Sequence, residues 1–100
     1  VNKVDVAKAA GLILPTRGWA PDFGKHPASR APYNREPYVR ARLDDGTTVD
    51  AKAICWTDQH VHLKWQDADH EMQTRWVPAS WVERISRDES SWRDPYDIAD

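Results

Sequence analysis

From residue 38 the chain alternates between apolar and polar positions. Val39, Ala41 and Leu43 are separated by Arg40 and Arg42, the period-two pattern of a strand with one buried face. Asp44-Asp45-Gly46 follows and predicts a tight hairpin, since Gly supplies positive φ and Asp tolerates it. In the return strand, residues 47–56, Val49, Ala51, Ala53 and Cys55 share a face while Ile54 and Trp56 are apolar on the other. A bulge, or burial on both faces near that end, reconciles the two sets. After a turn at Thr57-Asp58-Gln59, residues 60–65 alternate with Val61, Leu63 and Trp65 inward. A polar loop over 66–71 leads to a fourth strand over 72–77. Pro78 has no N–H to give a sheet ladder, so the chain turns over 78–81 and resumes as a short fifth strand over 82–85.

Upstream the pattern differs. Residues 4–10 read as a short helix stopped by Gly11, with Val6, Ala9, Ala10 and Ile13 spaced to share a face. Asp5-Val6-Ala7-Lys8-Ala9-Ala10-Gly11 resembles the opening helix and turn of the lactose-repressor family's helix-turn-helix. Leu12-Ile13-Leu14-Pro15 stands where that family has its reading helix, so a small helix packed on a β-barrel is expected instead. Residues 15–37 hold five of the seven prolines, with Trp19, Phe23 and Tyr33 at intervals, and predict an extended arm pinned by its aromatics. Residues 86–100 form an acidic tail of net −3, opposite to the +3 of residues 1–36. Trp92, Tyr96 and Ile98 give the tail apolar anchors that a purely solvating segment does not need.

One hundred residues with 40% hydrophobic and 30% charged positions make one domain, organised as residues 1–14, 15–37, 38–85 and 86–100. A net charge of −2 supplies no global basic field for nucleic acid. A single cysteine excludes an internal disulfide and fits a cytoplasmic setting. No apolar run approaches the roughly 18 residues of a membrane span, and no segment reads as a signal peptide. Abundant Ala, Arg, Asp and Val, with Val at position 1, point to a bacterial or phage source. Six tryptophans are more indole than a small core encloses, so part of the aromatic set is expected at a binding surface.

Trp76-Val77-Pro78-Ala79-Ser80-Trp81-Val82 resembles the closing motif of the Src-homology-3-like small β-barrel, in which an aromatic, a β-branched residue and Pro precede a 3₁₀ turn. The resemblance covers about residues 37–85. It implies a mostly-β fold: a five-stranded SH3-like barrel carrying the N-terminal helix, the Pro-rich arm and the acidic tail. It also implies that Val77, Val82 and Ile85 are core, while Pro78 and Trp81 face a ligand groove. That family's first-strand aromatics have no counterpart over 38–43, and its tryptophan pair falls at about His60-Val61. The usual proline-rich ligand is therefore not expected, although the chain's own Pro-rich arm offers an intramolecular occupant beside Pro78 and Trp81.

These patterns predict a non-enzymatic protein-binding module that uses Trp56, Trp76, Pro78 and Trp81, as an accessory or assembly protein. The alternative is nucleic-acid binding through a stripe of Arg40, Arg42, Lys52, Lys64 and Arg75. A structural part in a virion or other large assembly, with arm and tail engaging a neighbouring copy, is the third reading. His60 and His62, with His70, form a weak metal set without the spacing of a zinc motif. The turn acids Asp44, Asp45, Asp58, Asp67, Asp69 and Glu71 are explained by turn chemistry, and no nucleophile has a recognisable base. No catalytic residue and no cofactor is expected.

Overall fold

The computed structural model describes residues 18–98. The helix expected over residues 1–14 and the first part of the arm lie outside that range. The described chain is mostly β: β1 (Ser29–Arg30), β2 (Tyr38–Arg42), β3 (Thr48–Trp56), β4 (His60–Gln66), β5 (Met72–Pro78), a 3₁₀ turn (Ala79–Trp81) and β6 (Val82–Arg84). All pairings are antiparallel, in the order β5-β4-β3-β2-β6, with β1 added beside the end of β3.

The long strands fall where period-two alternation placed them. Gly46 adopts φ +88 in the β2–β3 turn, and Asp45 Oδ1 accepts the Thr47 N–H at 2.9 Å. The register shifts between Ala53 and Cys55, which is the bulge that the conflicting apolar faces of β3 required. One face packs Val39, Ala41, Ala51, Ala53, Leu63, Val77 and Trp81 into the core. Partly buried Leu43, Val49, Trp56, Val61, Trp65 and Val82 surround it.

Two expectations need correction. The sheet is open rather than closed into a barrel, with β5 and β6 as its edges. β5 ends at Pro78, the last position of its ladder with β4, the 3₁₀ turn redirects the chain, and β6 pairs with β2 rather than with β5. The strands also number six, because Ser29 and Arg30 pair with Trp56 and Cys55. Two residues within a proline-rich arm carry no alternation, so β1 had no sequence signal.

The second face is what makes the molecule unusual. One row across it runs Tyr38, Lys52, Lys64 and Thr74 on successive strands. Arm and tail cover much of this polar row. No helix among the described residues is long and apolar enough to cross a membrane.

Candidate functional site

The aromatics expected at a surface are largely enclosed. Trp76 is 6% exposed and Trp81 3%, while Pro78 is fully buried and Trp56 half-buried. This corrects the expected binding set: three of its four members offer almost no surface. Trp76 lies stacked on His62, with ring centroids 4.7 Å apart and planes 4° from parallel. Phe23 of the arm packs against the same indole at 5.6 Å. Trp19 of the arm lies 4.7 Å from His60, which pairs with Pro78 across β4 and β5. His26 Nδ1 and Asp58 Oδ1, 2.8 Å apart, fasten the arm further along. Trp81 instead enters the core, with the Arg75 guanidinium 6.0 Å from its ring.

The five cations of the nucleic-acid alternative do not share one surface. Arg40 Nε donates to Asp50 Oδ1 at 2.8 Å, and its Nη2 donates to the Glu89 carbonyl at 3.1 Å. Arg75 pairs with Asp44, and its register partner Leu63 belongs to the core face. Lys52 is 1% exposed beneath the tail. Arg42 is exposed and Lys64 half-buried. Arg40 and Arg42 do line one depression of about 380 Å³ with Trp81, but Glu83 lines it too.

The histidines likewise do not converge. His60 and His62 are on β4, buried and half-buried, and burial lowers the affinity of both rings for a proton. His70 sits in the β4–β5 loop at φ +64. Among the described residues no group of three His, Cys, Asp or Glu is arranged to hold a metal ion.

The exposed aromatics are elsewhere, in arm and tail. Tyr33 is 82% exposed and Tyr96 78%, and with Met72 and Trp92 they line a groove of about 350 Å³. Its floor comes from Lys64 and Gln66 of β4. The β4–β5 loop is rigidly built at one end: Asp67 Oδ1 accepts the N–H groups of Asp69 and Glu71, and Oδ2 accepts Gln73 Nε2. Those bonds hold the carboxyl of Asp67 below its ordinary range. They also set the Gln66–Met72 pair at the rim of the groove.

The opposite wall exists only because the tail is docked. Lys52 Nζ donates to Asp94 Oδ2 at 3.0 Å and to Asp97. Glu36 Oε1 lies 2.8 Å from the same nitrogen, an ion-pair contact rather than a well-aligned hydrogen bond. Burial alone would drive the proton off Lys52, but its contacts with the carboxylates of Asp97, Glu36 and Asp94 outweigh it and hold the proton more tightly than usual. Tyr38 Oη accepts the Asp94 N–H at 2.8 Å and donates to Asp97, while Arg87 Nε donates to Asp97 at 2.9 Å. Burial followed by the Asp97 bond raises the Tyr38 phenol above its ordinary range.

Short bonds then shape the tail over the groove. Tyr96 N–H donates to Asp94 Oδ1 at 2.9 Å, and Ile98 N–H donates to the Asn34 carbonyl at 2.9 Å. Asn34, at φ +57, links tail to arm beside Tyr33. The sequence had marked Trp92, Tyr96 and Ile98 as anchors. Only Trp92 packs inward, against Tyr38 at 6.4 Å, whereas Tyr96 and Ile98 remain exposed. The buried lysine that fixes the tail had no sequence signal, because Lys52 reads as a solvent-facing strand position. No protein-family model, no curated protein and no solved structure matches this chain.

Proposed function

We propose that the protein is a non-enzymatic protein-binding module whose contact surface is the groove between Tyr33 and Tyr96. The exposure of those two rings in the lining of a preformed groove carries this reading. Leaving two tyrosines and Met72 in water has no advantage for folding, whereas aromatic and Met side chains concentrate at protein interfaces. The groove is held by hydrogen bonds on both sides, so little ordering remains to oppose association. Its lining holds one lysine and one aspartate, too few cations for a phosphate-tracking channel.

We also propose that the fold is an open variant of the SH3-like small β-domain. Its support is the strand order β5-β4-β3-β2-β6, with a 3₁₀ turn leading into a final strand that returns to β2. In this reading the arm occupies the face beside Pro78 through Trp19 and Phe23, and the tail builds a replacement groove nearby.

The test is affinity capture with the wild-type chain and a Tyr33→Ala/Tyr96→Ala double variant. A protein held by the wild type, lost with the double variant and binding directly when purified supports the reading. Equal capture by both chains, or none by either, overturns it.

A further inference from the structure

We infer that the Tyr33–Tyr96 groove selects an extended acidic peptide, with one ligand carboxylate seated against the ammonium of Lys64. The inference rests on the protein-binding reading above and names the chemistry of its partner. Lys64 lines the groove and is half-buried, yet among the described residues no carboxylate lies within salt-bridge reach of it. Lys25, Arg30, Arg42 and Arg84 share that lack, but all four are exposed and none of them lines the groove. An ammonium with no counter-charge beside an apolar lining of Met72 and Trp92 gains a charge-assisted bond from an incoming carboxylate.

The neighbours of Lys64 sharpen the point. Its cross-strand partner Lys52 gathers three carboxylates, from Glu36, Asp94 and Asp97, although it lies directly beside Lys64. Asp94 is the acid that lines the groove, and both its oxygens are engaged, Oδ2 by Lys52 and Oδ1 by the Tyr96 N–H. It is therefore a neutralised wall rather than a counter-ion for Lys64 or a barrier to an anionic ligand. Gln66 Nε2 is turned away to the His70 carbonyl, which leaves the Lys64 ammonium as the groove's cationic donor.

The apolar lining sets the rest of the ligand. Met72 and Trp92 take side chains next to the carboxylate, with the thioether adapting to shape and the indole giving a flat contact. A single-stranded nucleic acid would stack on the same tyrosines. It would need a run of cations along its phosphates, and the groove holds only Lys64.

The experiment is selection of random twelve-residue displayed peptides on the full chain at low salt, run in parallel on Lys64→Gln and Lys64→Glu. We expect Asp or Glu beside an apolar residue to dominate the wild-type pool. Lys64→Gln should lose that enrichment, and Lys64→Glu should select Lys or Arg. Affinity of the best wild-type peptide should fall about tenfold with Lys64→Gln. Replacing the peptide's own acid by its amide should cost the same, with no further loss when both changes are combined. Peptides recovered without acidic enrichment, or acidic enrichment indifferent to Lys64, overturn the inference and leave the protein-binding reading standing. No recovered peptide overturns both. Tight binding of a fifteen-nucleotide oligo-dT that Lys64→Gln abolishes assigns the groove to nucleic acid and overturns both as well.

Discussion

Lys52 Nζ on β3 meets Asp94 Oδ2 at 3.0 Å, across 42 residues of chain, and this pair decides whether the second wall of the groove exists. Asp94 and Tyr96 both line the groove, and both hang on that contact and its neighbours. Lys52→Met should therefore undock the tail. Removing one partner from a buried ion pair costs about 3–5 kcal/mol, and release of the tail carboxylates to water limits the loss here. Denaturant unfolding measures the stability change, and faster tryptic cleavage after Arg93 reports the undocked tail. Unchanged cleavage would show that other contacts hold it.

Tail docking should also depend on pH in a defined direction. Burial opposes ionisation of Asp97, but bonds from Lys52, Tyr38 and Arg87 outweigh it and hold its carboxyl below the ordinary range. Asp50, bonded first by Arg40, is likewise lowered. A depressed folded value means that stability is fully present above the unfolded carboxylate value of about 3.9, and is lost as pH falls through the folded one. Lys52 acts oppositely: its raised value keeps its contribution intact below about 10.4, with loss only at higher pH. An NMR titration that follows the Trp92 indole N–H should thus stay flat through neutrality and change in acid. Asp97→Asn should flatten the acid limb; an identical limb in that variant would assign the transition to other groups.

Trp81 separates core from surface. At 3% exposure within the core cluster, Trp81→Ala should cost about 3–5 kcal/mol through the cavity it leaves. Its Nε1 is buried with no hydrogen-bond partner among the described residues, so Trp81→Phe removes an unpaired donor and should cost clearly less than the alanine change. Thermal unfolding of the two variants orders them. Equal losses would mean that the site requires the whole indole, with neither the retained ring nor the removed donor counting.

Tyr33 and Tyr96 should behave in the reverse way. Each is mostly exposed, so replacement by Ala should alter stability by no more than about 0.5 kcal/mol. Loss of a central interface aromatic typically costs about 2 kcal/mol of binding, roughly a thirtyfold weaker complex. Calorimetric titration of a selected peptide against each variant, with a melting curve as control, separates the two effects. A stability loss matching the binding loss would make these residues structural.

Strand positions could be read along the chain because a strand alternates with period two whatever its neighbours are. That local rule marked β2 to β4 and the β3 bulge from residues such as Val39, Ala41, Ile54 and Trp56, while turn chemistry placed the Gly46 turn and the break at Pro78 placed β6. The resemblance of the closing motif, rather than alternation, implied core positions at Val77, Val82 and Ile85, of which Val77 and Ile85 are buried and Val82 half-buried. Alternation says only which face a side chain points to, and it is silent on what later covers that face. Trp76 points away from the main core and was therefore expected in water, but Phe23, 53 positions earlier, packs over it. Lys52 was expected in water for the same reason, until Asp94 and Asp97 returned from the tail. The groove is a product of those distant contacts: Tyr33 and Tyr96 became surface, and Trp76 became interior, when arm and tail closed on the second face of an open sheet.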